Sequence, residues 1–369
     1  MAKKANSLIQ LALHKFKRNL WGVLSFWYVV ICILIAVFAY VIAPDNSAHA
    51  NQMHLSIHSM PPGFKVRILE LPNLKEEKEP VLKKLFFGKQ IISENIPITD
   101  YVFEGEELKV KLYNREGQQA LERNFNLNEN FPDFTQAEIE EKFIHNQKFI
   151  LGTDKYGRDF LSRMIIGMRV SLSVGFIAVL ISLLIGVTLG ALAGFYGGKT
   201  DAFIMWLINV TWSIPTLLLV IAMTLALGKG FWQVFIAVGL TMWVEVARVV
   251  RGQVMSVKEM QYVTAARALG YKNFRIIRHH ILPNVMAPVI VISAANFAAA
   301  ILVESGLSFL GIGAQPPIPS WGSMIKEHYS YIILGKAYLA IIPGLGIMSL
   351  VLAFMLIGNA LRDAFDVRT

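Results

Sequence analysis

The sequence predicts an all-α polytopic membrane protein of about six transmembrane helices, interrupted once by a small inserted α+β domain. Three observations carry that prediction. First, 54% of the 369 residues are apolar, the mean hydropathy is +0.49, and only 17% are charged, which places the chain outside the usual soluble range. Second, apolar runs long enough to cross about 30 Å of hydrocarbon recur at 20–43, 170–196, 202–227, 231–250, 285–310 and 337–361. Third, the stretch from Asp45 to Lys148 changes character and carries 17 acidic and 13 basic residues, which leaves 9 acidic and 22 basic residues elsewhere. The basic excess behind the net charge of +9 therefore flanks the apolar runs. That fits membrane orientation and headgroup contact, and it argues against a nucleic-acid-binding face.

Residues 1–19 form a basic leader with Lys3, Lys4, Lys15, Lys17 and Arg18. The first apolar run, 20–43, is too long for a signal-peptide core and no small-residue cleavage motif follows it, so it reads as an uncleaved anchor. Residues 44–150 form the insert, and about 100 residues can bury a modest core. Within it, Phe64–Leu71 and the 108–113 segment alternate as half-buried strands. Thr135 with Glu138 three residues on, ahead of Ile139, Phe143 and Ile144, opens a helix with a capping box. His49, His54 and His58 have no carboxylate or thiolate close by in sequence, so this stretch reads as a solvated linker and not as a metal site. The single cysteine, Cys32, sits inside an apolar run, which excludes a disulfide framework and any Cys-x-x-Cys centre.

Residues 151–369 hold the remaining five runs. The most informative segment is 251–283, which lies between two of them. Met260, Val263, Ala266 and Leu269 recur at helical spacing, and Gly270 supplies a residue free to take positive φ and stop the helix. Asn273 is placed to cap a second helix with Phe274, Ile277 and Ile281 on one face, and Pro283 opens the apolar helix beyond it. A polar helix–Gly–helix hairpin between two spans is built to be gripped from outside the bilayer. With Arg251, Lys258, Arg267, Lys272 and Arg275 around it, the positive-inside rule places this loop and both termini in the cytoplasm.

The run Thr264-Ala265-Ala266-Arg267-Ala268-Leu269-Gly270, closing on His280-Ile281-Leu282-Pro283, resembles the "EAA" loop of bacterial ABC importer permeases. It departs from that pattern at Thr264, where Glu is usual, and at His280, where Ile is usual. Further matches extend over 151–369. They are Leu151-Gly152-Thr153-Asp154 with Gly157-Arg158-Asp159, Leu307-Ser308-Phe309-Leu310-Gly311-Ile312-Gly313 with Gln315-Pro316-Pro317 and Ser320-Trp321-Gly322, and a tail of Leu361-Arg362-Asp363 with Asp366 and Arg368. Together these resemble the C-type permease subunit of dipeptide and oligopeptide importers, a subunit type also found in nickel importers. The resemblance implies a type I ABC importer permease in the plasma (inner) membrane. It further implies a B-type permease partner, two cytoplasmic ABC ATPase subunits that hold the ATP and magnesium, and an extracytoplasmic solute-binding protein. Peptide uptake is the expected function, with nickel or another small solute as the alternative cargo. The ATPase-coupling residues would be Glu259, Tyr262, Thr264, Ala265, Ala266, Arg267, Gly270, Leu282 and Pro283.

Three other features bear on function. The run Ala193–Thr200 ends in Gly-Lys-Thr and imitates a phosphate loop, but it joins two apolar runs where a phosphate loop follows a β-strand. No cofactor is therefore expected on this subunit, and Gly197-Gly198 reads as a turn. Glu304 is an ionisable residue in the fifth run, either a structural carboxylate facing the bundle or, with Ser308 and Phe309, a candidate pore or gate element. Gly186, Gly190, Ala191 and Gly194 make the second run a close-packing helix. A membrane-anchored sensor or scaffold would need one span only. An intramembrane enzyme lacks its signatures, since neither HExxH, GxSG nor paired intramembrane carboxylates occur.

Overall fold

The computed structural model of the chain describes residues 8–72, 80–89, 93–114, 121–228 and 230–366; Lys3, Lys4 and Arg368 lie outside them. An amphipathic helix, α1 (Leu8–Arg18), precedes the first apolar helix, α2 (Leu20–Val37). Asn19 separates the two because its side chain accepts the Gly22 N–H at 2.9 Å and caps α2. A short turn of helix, α3 (Ala39–Ile42), comes after it.

Residues 45–60 run close against the rest of the chain. Ala50 and Ile57 are fully buried, and Ser47 and Ser59 nearly so. This corrects the solvated-linker reading of His49, His54 and His58. The strap gives no periodic signal because it is held by tertiary contacts, and His49, Ala50 and Ser59 take positive φ.

A five-stranded antiparallel sheet comes next. It is built from β1 (Phe64–Leu71), β2 (Glu94–Glu104), β3 (Glu107–Leu112), β4 (Glu122–Asn126) and β5 (Ile144–Phe149), in the order β4-β3-β2-β1-β5. Helices α4 (Val81–Phe87), α5 (Leu127–Asn130) and α6 (Gln136–Lys142) lie between strands. The Thr135–Glu138 capping box is formed as expected, and α6 places Ile139 in a core with Leu69, Ile98, Leu108 and Phe131. First and last strands pair, Phe64 opposite Phe149, so the sheet is a closed insertion whose two ends meet. Ile57 packs with Val66, Ile68 and Phe149 and fastens the strap to the base of the sheet.

The long helices are α7 (Phe160–Tyr196), α8 (Gly198–Trp212), α9 (Thr216–Leu227) and α10 (Phe231–Val257). After them come α11 (Gln261–Ala268), α12 (Asn273–Ile276), α13 (Leu282–Leu310), α14 (Trp321–His328) and α15 (Tyr338–Phe365). Among the described residues, five helices are long and apolar enough to cross a membrane, or six if α8 and α9 are one broken span. The expected apolar run at 202–227 is helical but not straight. It bends by 91° at the break before Thr216, where Pro215 can neither donate to the preceding turn nor leave Ile214 helical.

The α7–α10 pair is the central packing. A Cβ at Gly186 would lie 2.6 Å from Val246 Cβ. One at Gly190 would lie 2.5 Å from the Ala247 carbonyl oxygen, and one at Gly194 2.7 Å from the Arg251 carbonyl oxygen. Val246, Val250 and Val254, also four residues apart, fill the grooves these glycines leave. The expected close-packing face is thus a continuous seam. At 1.5 Å per residue α7 is about 55 Å long, with the strap at its first turn, where the Asp45 N–H bonds the Ser162 hydroxyl at 2.9 Å, and the 251–283 segment at its last.

Gly190→Leu should destabilise the protein in detergent by about 3 kcal/mol or more, because backbone on α10 cannot retreat from the new side chain. Gly252→Ala, at an α10 position with nothing within 4 Å of the added Cβ, should be neutral or stabilising by about 0.5–1 kcal/mol. Thermal unfolding of the two variants side by side checks this.

Candidate functional site

Two constructions stand at opposite ends of α7. At its last turn, α10 continues the seam outward to Val257. The chain then turns through Lys258-Glu259-Met260 into α11, which buries Val263 and Ala266 against Val254, Val257, Ala191 and Phe195. Only half of the expected stripe is buried, since Met260 and Leu269 are 49% and 72% exposed.

Gly270, at φ +76°, ends α11. Its N–H bonds the Arg267 carbonyl at 2.9 Å and the Tyr271 N–H bonds the Ala266 carbonyl at 3.2 Å, the paired closure of a Schellman motif. The expected cap at Asn273 is corrected. Lys272 holds the cap position with no side-chain bond, and Asn273 is the first helical residue.

Pro283 stands in the first turn of α13, as expected, but the helix does not begin afresh there. Residues Ile277–Ile281 form one π-helical turn that joins α12 to α13, so Asn273–Leu310 runs as a single helix. Ile276, Ile277 and Ile281 face the core while Phe274 is 71% exposed, a correction of the expected face. His280 stacks on Tyr271 at 5.8 Å, Arg275 lies over the same ring at 4.4 Å, and Arg267 covers Phe195 at 5.4 Å. The departure at His280 thus has a local role, bracing the turn after Gly270.

Of the residues singled out for coupling, Ala266 is buried and Leu282 half-buried. Glu259, Tyr262, Thr264, Ala265, Arg267, Gly270 and Pro283 are exposed. With Met260, Leu269 and Phe274 they make a surface with apolar tips on a hairpin welded to two long helices.

At the first turn of α7, the Gly152–Asp159 loop is wrapped by the strap. A Cβ on Gly152 would meet the Met60 carbonyl oxygen at 2.2 Å, and one on Gly157 would collide with the His54 carbonyl oxygen. Asp154 is fully buried and its Oδ1 accepts the N–H groups of Tyr156 and Arg158. Arg158, 2% exposed, donates from Nε to Asp154 Oδ2 at 2.6 Å, from Nη1 to Asn51 at 3.0 Å and from Nη2 to Glu327 at 3.1 Å. Arg163 Nε stands 3.6 Å from the same Asp154 oxygen. Asp159 caps α7 by accepting the Ser162 N–H at 2.8 Å.

Asp154, Glu327 and His328 bring three potential ligand atoms within 4.8 Å of one another, yet Arg158 bonds both carboxylates and already supplies the positive charge. His328 is buried. Its Nδ1 pairs with the Met324 carbonyl at 2.7 Å and its Nε2 accepts the Lys155 N–H at 3.4 Å. Burial holds His328 below the usual imidazole pKa of 6.5, against the pull of Asp154 and Glu327, and burial does the same to His54.

The candidate gate residues lie beside this construction. Glu304 and Ser308 are both 1% exposed, and the Ser308 hydroxyl donates to Glu304 at 2.7 Å while accepting the Ala314 N–H at 3.1 Å. They hold the 311–317 loop onto the end of α13, where Gly311 takes φ +82°. Phe309, by contrast, is 44% exposed and meets Tyr329 edge-on at 6.3 Å. Ser320 caps α14, and Trp321 wedges between helices, donating to the Met164 carbonyl at 3.0 Å and touching where Gly167 and Gly346 leave room.

Two family models match parts of the chain. Residues 186–369 match the family of binding-protein-dependent transport system inner membrane components, and residues 7–62 match the N-terminal transmembrane domain of oligopeptide transport permease C. The dipeptide transport system permease protein of Lactococcus lactis subsp. cremoris is 30% identical over 100% of this chain and 93% of its own length. The chain belongs to the binding-protein-dependent ABC permease family. The permease is also 43% identical to a dipeptide transport permease of Alkalihalophilus pseudofirmus, over 58% of this chain and 70% of that one. It is 41% identical to a glutathione transport permease of Pectobacterium atrosepticum, over 58% and 71%. The permease is a transport component and not a catalytic subunit. The N-terminal match runs to residue 62, through the strap, whose role sequence reading missed. The glycines at 152 and 157 were the available signal, because each marks a place where another backbone must approach.

Arg158→Ala strands a buried carboxylate and should destabilise the permease by about 3–5 kcal/mol. The two histidines give a pH dependence of definite sign. A base whose folded pKa is depressed leaves the unfolded chain holding more protons, so its contribution is complete above about pH 6.5 and is lost as pH falls below that. The thermal midpoint should therefore drop between pH 7.5 and 5.5, and His328→Gln should flatten the drop.

Proposed function

We propose that this permease forms one half of a heterodimeric pore, with a B-type permease as the other half, and passes short peptides handed over by an extracytoplasmic binding protein. Two ABC ATPase subunits grip the 258–283 hairpin from the cytoplasm, where the N- and C-termini also lie, and they hold the ATP and magnesium. The strap, the five-stranded sheet and the 311–317 loop stand on the outer side. One observation carries this reading. The hairpin's apolar tips, Leu269 and Phe274, are exposed while its base is continuous with α10 and with the 38-residue Asn273–Leu310 helix. A push at the tip is therefore delivered as rigid-body motion of two spans.

The sheet insertion helps receive the binding protein by tethering a docking surface at the pore mouth. The cargo reading rests on relatives that carry dipeptides or oligopeptides. The glutathione permease, at nearly the same identity, supports a second reading of the same architecture with a different small peptide-like solute. Glu304, Ser308 and Phe309 act at the outer end of the pathway by setting the position of the loop after α13.

Among the described residues nothing lies within 4 Å of a Cβ added at Gly270, which is exposed, so Gly270→Trp should fold and insert with a strain cost of about 1 kcal/mol. In the assembled transporter it should abolish ATP hydrolysis stimulated by loaded binding protein. Stimulation at the wild-type level would remove the coupling assignment. Protease added to cells with a permeabilised outer barrier should cut within the insert while sparing the hairpin. Replacing 64–149 with a short Gly/Ser linker should weaken binding-protein association without loss of the ATPases. Protection of the insert from external protease would overturn the orientation.

A further inference from the structure

Where α1 lies against α2 and α15, it leaves an apolar cavity of about 530 Å³, lined by residues including Ala12, Phe16, Trp27, Ile290, Ile357 and Ala364. Lys17 is the one charged residue in its lining. The helix that roofs it, Leu8–Arg18, reads LIQLALHKFKR and contains no acidic residue. Its C-terminal end is fixed. Lys15 donates to the Asp366 carbonyl at 2.9 Å, and Gly22 brings α2 so close to α15 that an added Cβ would sit 2.4 Å from Ala360 Cβ. The cavity opens beside Leu13 and Trp27, which are 52% and 58% exposed, next to the apolar outer face of α2.

We infer that this cavity is a binding site for an anionic phospholipid, with an acyl chain in the groove and the headgroup against Lys17 and Arg18. The shape of the chemistry favours this occupant over a protein helix. The lining is apolar, Lys17 contributes only its aliphatic stem to it, and Lys17 itself is exposed, so an acyl chain fits the groove while an anionic headgroup outside it meets the ammonium, the pattern of an amphiphile with one anionic terminus. A transmembrane helix from another subunit would need an apolar face along its whole length and would leave Lys17 unpaired. Held this way, the lipid would lock α1 at the membrane surface beside the end of α15.

Trp27 in the groove provides the readout. The full transporter complex would be placed in phosphatidylcholine nanodiscs containing a small fraction of either brominated phosphatidylglycerol or brominated phosphatidylcholine. Quenching that is lost in Trp27→Phe reports the groove alone. Brominated phosphatidylglycerol should quench this component more strongly than brominated phosphatidylcholine at equal mole fraction. Lys17→Gln, an exposed change that leaves the fold intact, should lower that preference about fivefold, the effect of one cation near an anionic headgroup. Equal quenching by the two lipids, or a preference untouched by Lys17→Gln, would overturn the site. Lack of quenching by either would show a protein partner covering Trp27 and would also overturn it.

Discussion

The structure depends on backbone-to-backbone closeness of α7 and α10. Without the methyl that any other residue would add, Gly186, Gly190 and Gly194 let three valines of α10 settle into α7. In hydrocarbon there is little hydrophobic gain from bringing two apolar helices together, so association rests on dispersion at short range, which small residues permit. Because α10 is held so tightly, its cytoplasmic extension has a defined place, and the Val263 and Ala266 face of α11 finds Ala191, Phe195 and Val254 waiting. The 258–283 hairpin is an outgrowth of this seam.

At the other end of α7 the problem is electrostatic. Asp154, Arg158 and Arg163 are almost wholly buried, and burying charges costs several kcal/mol per ion unless every valence is met. Arg158 meets it by bonding three side chains from three segments: the strap, its own loop and α14. Such a knot adds little net stability but strongly specifies one arrangement. The strap, the base of the sheet and α14 are consequently tied to the same helix that carries the hairpin side of the molecule.

Much of this was legible in the residues. Alternation marked Phe64–Leu71, Thr135 with Glu138 marked the start of α6, and Gly270 marked the end of α11, because each signal is local and each principle behind it acts over a few residues. The errors were of other kinds. Asn273 has the chemistry of a cap, but its backbone had already entered the helix. The apolar run at 202–227 hid a break because hydropathy is blind to Pro215. The strap at 45–60 is buried by contacts with residues about a hundred positions away, so nothing in its own composition separates it from a solvated linker. The candidate gate at Glu304 was visible as a misplaced charge, whereas its bond to Ser308 and the loop beyond could be seen only in three dimensions.

The proposed function requires above all that the hairpin be a cytoplasmic surface covered by the ATPase subunits. Leu269→Cys tests this most directly, because Leu269 is exposed at the tip and the native thiol, Cys32, is buried. A membrane-impermeant maleimide applied to sealed vesicles should label this cysteine from the cytoplasmic face alone, and bound ATPase subunits should suppress the labelling. Labelling from the outer face, or equal labelling with and without those subunits, would contradict it.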